Sequence, residues 1–249
     1  MKKGVPGSPR RRRDSVATAT SNVSGMELEA RRTERLKTVS LLAAGRIPLQ
    51  VLTIAEEAVK IADDAVRAAQ AKEPPCAPLA CQEGCAWCCY QTVGTAAPEV
   101  LRIADHLRQT LSPDEMRVAQ ARIHERAEQR RALRPDRRSR ARLPCALLVE
   151  NRCTAYAVRP LTCRGFNSHD ARRCERALES GNPADVPTYV PQRRLCTFVL
   201  DGLRAGLEES RLDGELLELT IALDIALTTP DAAERWLAGE AVFRAARLT

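Results

Sequence analysis

Eight cysteines in the middle of this chain have the residue type and the spacing of metal ligands. They are Cys81, Cys85, Cys88, Cys89, Cys145, Cys153, Cys163 and Cys174. Thiolates at positions i, i+4 and i+7, in a loop that contains Gly84, can turn toward one ion or cluster, and a distant second group can complete the shell. The set predicts a metal centre whose ligands are sulfur atoms.

The spacing of the first three cysteines bears on which metal is bound. Cys81-x3-Cys85-x2-Cys88 is the pattern in which radical-SAM enzymes hold a [4Fe–4S] cluster, whereas only Cys85 and Cys88 have the two-residue spacing of a zinc knuckle. The spacing therefore favours an iron–sulfur cluster, with zinc as the alternative. The chain lacks the alternating strands and helices of the radical-SAM barrel. Eight thiols exceed one tetrahedral site, so either a second site exists or some thiols are redox-active.

The meaning of the ten cysteines depends on the compartment. The run Arg10–Arg13 is not followed by the apolar stretch of an export signal, and no window approaches the run of about 20 apolar residues that spans a bilayer. We therefore expect a cytoplasmic protein without a membrane partner. In a reducing compartment, clustered cysteines are more often metal ligands or redox groups than disulfides.

Four motifs around these cysteines resemble the YkgJ-type cysteine-cluster proteins, bacterial proteins described as zinc- or iron-chelating. The motifs are Cys81-Gln-Glu-Gly-Cys85-Ala-Trp-Cys88-Cys89, Cys145-Ala-Leu-Leu, Arg152-Cys153-Thr-Ala-Tyr156 and Arg159-Pro160-Leu-Thr-Cys163-Arg164-Gly-Phe166. The resemblance covers residues 81–174 and implies the eight cysteines as metal ligands. The chain departs from the family at Ala146-Leu147-Leu148 and at Asn151-Arg152, which affects only the expected local packing.

The same cysteine arrangement is distantly similar to that of flagellin lysine N-methylase. The resemblance therefore implies an alternative function, a cluster-dependent protein lysine N-methylase. The sequence contains no glycine-rich nucleotide or phosphate loop that would independently indicate a cosubstrate site. Catalytic residues are not assigned, and whether the chain is an enzyme is left open.

Other reactive side chains have simpler interpretations. His106 and His124 lie on predicted helices as solvated or packed residues, and His169 is the one histidine to test as a ligand. Cys76 and Cys196 are interpreted as spectators.

Charged and aromatic residues flank the cysteines. Arg152, Arg159, Arg164, Arg172 and Arg173 either offset the negative charge of a thiolate site or are ordinary surface residues. The aromatic residues of the motifs are expected to pack around the centre and exclude water; they are Trp87, Tyr90, Tyr156 and Phe166.

The composition predicts the scaffold that positions this centre. The chain has 249 residues, 44% of them hydrophobic but only 3% aromatic, and this Ala- and Leu-rich supply disfavours a β sandwich. Apolar periodicity and capping residues predict helices over 49–70, from 98 to 111, from 113 to about 134, over 189–207, within 214–227 and from 230 to 239. We expect a mainly α protein, a helical scaffold around an irregular cysteine-rich metal-binding centre.

The net charge of +7 is concentrated at one end. Residues 1–48 hold 11 basic and 4 acidic side chains, so the remainder is neutral. The sequence predicts a disordered basic arm over 1–48 and one helical domain over 49–249 with its motif core at 81–174. A neutral domain disfavours nucleic acid as a partner. The arginine-rich stretch 117–142 is either a solvated face or a surface for a protein partner.

Overall fold

The computed structural model describes residues 14–82, 84–134, 137, 141–182 and 185–248, with side chains from residue 25 onward. Helices dominate the described part and run in this order: α1 (Asp14–Ala44), α2 (Pro48–Lys72), α3 (Ala97–Thr110), α4 (Pro113–Arg131), α5 (Leu161–Gly165), α6 (Ala171–Ser180), α7 (Val190–Glu209), α8 (Leu219–Thr228) and α9 (Ala232–Leu237). The predicted mainly α class is confirmed.

Short strands and 3₁₀ helices fill the connections between these helices. Strands β1 (Gly94–Thr95) and β4 (Leu217–Glu218) pair antiparallel, and β2 (Leu148–Val149) and β3 (Arg152–Cys153) form an antiparallel hairpin. The 3₁₀ helices are Trp87–Tyr90, Tyr156–Val158 and Arg244–Ala246. Both ladders border the cysteine-rich centre, because β1 follows the first cysteine run and β3 contains Cys153.

Two glycines allow α7 to approach α1 closely. A Cβ atom on Gly202 would lie 2.3 Å from the carbonyl oxygen of Arg31, and one on Gly206 would lie 2.7 Å from Cβ of Thr38. Both distances are shorter than carbon atoms tolerate in packed proteins. The two glycines lie four residues apart on one face of α7 and therefore determine how closely α1 and α7 approach.

The remaining helices pack around a core of Ala, Leu, Ile and Val side chains. Helix α2 lies against α1, α3 and α7, while α8 packs on α3 and α4. Helix α4 begins at the predicted capping box, in which Ser112 Oγ accepts from the Glu115 amide and the Glu115 side chain accepts from the Ser112 amide. Within the described residues, no helix is both long and apolar enough to cross a membrane.

Most of the predicted helices are found, and two regions differ from expectation. The disordered arm predicted over 1–48 is wrong for 14–44, which form α1; the second half of this helix packs on α7 and buries Glu27, Glu34 and Thr38. Residues 1–13 lie outside the described residues. Residues 142–174, part of the centre that the sequence predicted as irregular, contain α5 and the start of α6. Helix α1 was not predicted because its buried face carries polar residues. Helix α5 was not predicted because so short a helix has too few residues to show apolar periodicity.

Candidate metal centre

The eight candidate ligands fall into two groups of four thiols. The inner group is Cys89, Cys145, Cys153 and Cys163. The outer group is Cys81, Cys85, Cys88 and Cys174. The division follows from which thiols act on one another electrostatically: the pKa of Cys81 is raised by burial and by Cys85, Cys88 and Cys174, all outer thiols. Within the inner group, the pKa of Cys163 is raised by burial and then by neighbours that include Cys145 and Cys153.

Adjacent cysteines on one 3₁₀ helix link the two groups. Cys88 and Cys89 occupy the middle of Trp87–Tyr90. Successive side chains on a helix with three residues per turn point about 120° apart, so neighbours in sequence serve different groups. Cys88 also acts electrostatically on the inner thiols Cys153 and Cys163, which places it between the groups.

A backbone hydrogen bond holds the inner thiols of two distant segments together. The amide of Cys145 donates to the carbonyl oxygen of Cys89 at 2.7 Å. The chain then turns, with the Leu148 amide donating to the Cys145 carbonyl oxygen at 3.0 Å, and enters the β2–β3 hairpin. This contact joins positions 56 residues apart, which spacing along the chain does not reveal.

The hairpin positions Cys153 opposite Leu148. Its two turn residues, Glu150 and Asn151, both have positive φ, at 48° and 62°. Two such residues form the turn type whose twist matches paired strands, and Asn tolerates this conformation better than most residues. The departure at Asn151-Arg152 noted in the sequence therefore leaves the hairpin intact.

A buried carboxylate, Glu99, positions the segment that carries Cys163. One oxygen of Glu99 accepts from the Leu161 amide at 2.7 Å, and the other accepts from the Thr95 hydroxyl at 2.8 Å and from the Ala96 amide at 2.9 Å. The Glu99 side chain is almost fully buried, and burial raises its pKa. The start of α5 is thus anchored to α3 and β1 through one side chain.

The outer group is held by loops and one short helix. Gly84, with φ of 85°, lies in the loop where the Cys85 amide donates to the Gln82 carbonyl oxygen at 3.1 Å. Cys174 lies in the first turns of α6, which Asp170 caps by accepting from the amides of Arg172 and Arg173 at 2.9 and 3.1 Å. The outer thiols therefore rest on fewer buried contacts than the inner ones.

The pKa of every inner thiol is raised, which favours the protonated form of that group until a cation is present. Burial raises the pKa of Cys145 to about 11 and acts in the same direction on Cys163. The pKa of Cys89 is raised by its hydrogen bond with Cys88, and the same bond lowers the pKa of Cys88 to about 7. A bound metal cation favours the thiolate form, because thiolates are the ligands. The thiols therefore release protons when the metal binds.

Arginines approach both groups of thiols. The positive charge of Arg159 adds to the hydrogen bond from Cys89 in lowering the pKa of Cys88, and its guanidinium stacks 4.2 Å from the ring centre of Tyr156. Burial raises the pKa of Cys153 and of Cys145, and the charges of Arg159 and of fully buried Arg130, respectively, partly oppose that rise. Arg130 also lies 3.4 Å from Glu218. The sequence pointed to Arg159 but not to Arg130, which it assigned to a solvated or partner-binding stretch.

Several residues singled out in the sequence lie away from these thiols or differ from expectation. Arg164 pairs with Asp63 at 3.0 Å, and His124 lies 3.1 Å from Asp224. Tyr156, expected to exclude water from the centre, is 54% exposed.

Cys196 is buried in α7. Burial raises the pKa of this thiol to about 12, with no contribution from another cysteine. All ten cysteines are free thiols. Cys196 therefore provides an internal reference for a thiol that belongs to neither group.

The donor chemistry of the two groups fits a soft or borderline metal ion. Thiolates suit zinc and iron–sulfur clusters, and each group offers four, the number that either centre requires. In the part of the chain that the structure describes, no set of three or more His, Cys, Asp or Glu side chains has the arrangement of a metal site. The thiols are neighbours without forming a closed shell, so binding requires them to draw together.

The fold and the site define a mainly α protein with a thiol-rich centre. A model of the family described as "Putative zinc- or iron-chelating domain" (CxxCxxCC) matches residues 80–188, a span that contains all eight candidate ligands. The expected resemblance to a zinc- or iron-chelating family is thereby confirmed over this span. No curated protein and no solved structure matches the chain. The YkgJ type and the methylase similarity stay predictions.

Proposed function

We propose that this chain is a cytoplasmic metal-binding protein that holds a [4Fe–4S] cluster through the outer group. The ligands are Cys81, Cys85, Cys88 and Cys174. The support is the electrostatic proximity of all four thiols together with the Cys81-x3-Cys85-x2-Cys88 spacing. Cys174 supplies the fourth ligand from α6, because the pKa of its thiol is raised by burial and also by Cys85 and Cys88.

The inner group holds a second metal centre in this proposal. Its four thiols come from four separate elements, and Glu99 and the Cys89–Cys145 backbone contact fix their spacing. Four thiolates on one divalent ion carry a net charge of −2, which Arg130 and Arg159 offset from two sides. The protein's own part is to position the thiols, to supply these cations and to release the thiol protons to solvent.

The test is metal analysis and absorption spectroscopy of the full chain purified without oxygen. We expect the purified protein to contain iron and sulfide and to absorb at about 400 nm through thiolate-to-iron charge transfer. Cys85→Ala, in the outer group, should abolish this absorbance, whereas Cys153→Ala, in the inner group, should remove the second metal and leave the absorbance. Cys196→Ala is the matched control, because it removes a buried thiol outside both groups.

Two outcomes contradict the assignment. A colourless protein that holds zinc in both groups would replace the cluster with the zinc alternative, which the zinc- or iron-chelating family description also accommodates. Full metal retention in both Cys85→Ala and Cys153→Ala would show that the two groups are not the ligands.

The alternative enzymatic function, protein lysine N-methylation, has its own discriminator. A methylase must bind the methyl donor S-adenosylmethionine, so calorimetric titration of the metal-loaded chain with this compound separates the two hypotheses. Saturable binding would favour the enzyme. Its absence, in protein that retains its metal, favours a binding protein without turnover.

A further inference from the structure

Cys76 and His169 face each other outside the two thiol groups. The Cys76 sulfur lies 4.0 Å from Nε2 of His169, although the residues are 93 positions apart in the sequence. Cys76 is exposed and His169 is half-buried. The sequence interpretation left Cys76 as a spectator and marked His169 only as a residue to test.

Hydrogen bonds orient the imidazole for ligation. Nδ1 of His169 lies 3.3 Å from the carbonyl oxygen of Pro78, which can only accept, so Nδ1 carries the proton. Nε2 then faces the thiol and is available as a metal ligand. This is the arrangement of metal-binding histidines, whose second nitrogen donates to a carbonyl or carboxylate.

Backbone contacts anchor both sides of the pair. The segment that carries Cys76 is fixed at one end by the Tyr189 hydroxyl, which donates to the Glu73 carbonyl oxygen at 2.8 Å. Its other end is fixed by the Ala80 amide, which donates to the Ser168 carbonyl oxygen at 2.8 Å. The His169 amide in turn donates to the Pro187 carbonyl oxygen at 2.9 Å. The backbone segments that carry the two side chains are therefore anchored to one another and to the rest of the fold.

The separation of the two atoms suits one bridging metal ion. A tetrahedral zinc ion at about 2.3 Å from sulfur and about 2.0–2.1 Å from nitrogen would place those atoms about 3.6 Å apart. Closing from 4.0 Å requires only a small side-chain rotation. Two protein ligands leave the other positions to water, so such an ion exchanges more readily than one enclosed by four thiolates.

We infer that Cys76 and His169 form a solvent-exposed loading site for Fe²⁺, which then passes to the outer group. The route is short, because the Cys81 sulfur lies 3.9 Å from the carbonyl oxygen of Ser168, the residue before His169. On capture the Cys76 thiol loses its proton to solvent. On transfer the iron–sulfur and iron–nitrogen bonds are replaced by bonds to outer thiolates, whose protons pass to Cys76 and to solvent, and the iron stays ferrous. Assembly of the [4Fe–4S] cluster from four delivered Fe²⁺ ions additionally uses four sulfide ions and an external acceptor that takes up two electrons. This inference rests on the proposed function.

The experiment follows loading of the reduced, metal-free full chain with Co²⁺ alone, using the cobalt–thiolate absorbance in a stopped-flow instrument. We expect Cys76→Ser and His169→Gln to reach the wild-type cobalt content but to load at least about tenfold more slowly, the lower end of the effect of removing a metal partner. His124→Gln is the matched control, since it changes a histidine that pairs with Asp224. It should load as the wild type does.

The outcomes separate this inference from the proposed function. Equal loading rates in all four proteins would overturn the loading site and leave metal binding by the thiol groups intact. A wild-type protein that takes up one cobalt ion, lost in His169→Gln, would support the surface site and contradict the proposed function. No cobalt in any of the proteins would contradict both.

Discussion

The inner and outer thiol groups have the same four-cysteine content but different support. Inner thiols come from a 3₁₀ helix, a turn, a hairpin and a helix, and the buried side chains Glu99 and Arg130 reach the segments that carry them. Outer thiols rest on a glycine loop and on α6, which Asp170 caps at its start and Arg142 contacts at its end. One group is positioned by the hydrophobic core, whereas the other lies at its margin.

The difference separates two ways of building a metal site. Where buried polar contacts fix the segments that carry the ligands, folding has already ordered those segments, and the metal has only to draw the thiols together. Where the ligands lie on loops, the metal itself must order them. We therefore expect changes beside the inner group to act first on stability, and changes beside the outer group to act first on metal retention.

The largest effect is expected for Glu99→Ala. This change leaves the amides of Ala96 and Leu161 and the Thr95 hydroxyl without their acceptor in the core. We expect unfolding free energy to fall by about 3–5 kcal/mol, since each unsatisfied buried donor costs about 1–3 kcal/mol. Urea unfolding measures the loss, and metal analysis should show that the inner centre is depleted more than the outer one. Equal loss of metal from the inner and outer groups would contradict the proposal that Glu99 supports the inner group in particular.

Arg130→Met tests the buried ion pair beside Cys145. Removal of one partner leaves Glu218 buried at 1% exposure without the Arg130 guanidinium, so we expect a loss of about 3 kcal/mol in unfolding free energy. Arg117→Met on the same helix is the control, because its pair with Asp114 is exposed and should contribute less than about 0.5 kcal/mol. Similar losses in both variants would contradict the assigned role of Arg130.

Glu34 in α1 gives the scaffold a pH dependence that is independent of the thiol groups. Burial raises its pKa from 4.5 to about 8, with further increases from Glu99 and Glu57 and an opposing effect from Thr38 and Lys37. The unfolded chain therefore loses this proton at lower pH than the folded chain does, and stability falls as pH rises from about 4.5 to about 8. Below about pH 4.5 the carboxyl is protonated in both states, so no stability is lost to its ionisation.

Glu34→Gln should remove this dependence while keeping a partner for Thr38. We expect the variant to exceed the wild type in unfolding free energy by about 3 kcal/mol at pH values above 8, and to match it near the unfolded pKa. Denaturant unfolding across this pH range provides the measurement. If the unfolding free energies of the two proteins changed with pH in the same way, Glu34 would not have the raised pKa of a buried carboxyl.

The smallest expected effect is that of Asp170→Ala at the start of α6. Loss of this cap should cost about 1 kcal/mol of stability, and the same change at Ser112, which caps α4, should cost a similar amount. Only Asp170→Ala should speed metal release from the outer group to a chelator, because Cys174 follows it. Equal release rates in the two cap variants would mean that the outer group does not depend on α6.

Local signals in the sequence predicted most of the scaffold. The apolar periodicity of 49–70 and the Ser112–Glu115 capping box are short-range features, and α2 and α4 follow them closely. Helix α1 was not predicted, because it buries Glu27 and Glu34, and charged residues are expected to face solvent when only the sequence is considered. Its partner face depends on Gly202 and Gly206, whose role only the packed helices reveal.

For the site, the sequence identified the thiols but not their grouping. Linear spacing separates Cys81–Cys89 from the later cysteines, whereas the electrostatic contacts join Cys89 to Cys145 and Cys163 and join Cys174 to Cys85 and Cys88. The 3₁₀ helix that turns Cys88 and Cys89 apart has no distinct sequence signal. The approach of Arg130 likewise depends on tertiary packing.

Cysteine alkylation, resolved by mass spectrometry before and after metal removal by a chelator, tests the central claim most directly. In metal-loaded protein we predict protection of all eight group cysteines, followed by faster reaction of each after chelation, first in the outer group. Cys196 should react at the same slow rate in both states because burial, not metal, protects it. Unchanged reactivity of the eight cysteines on chelation would contradict the claim that the two groups bind metal.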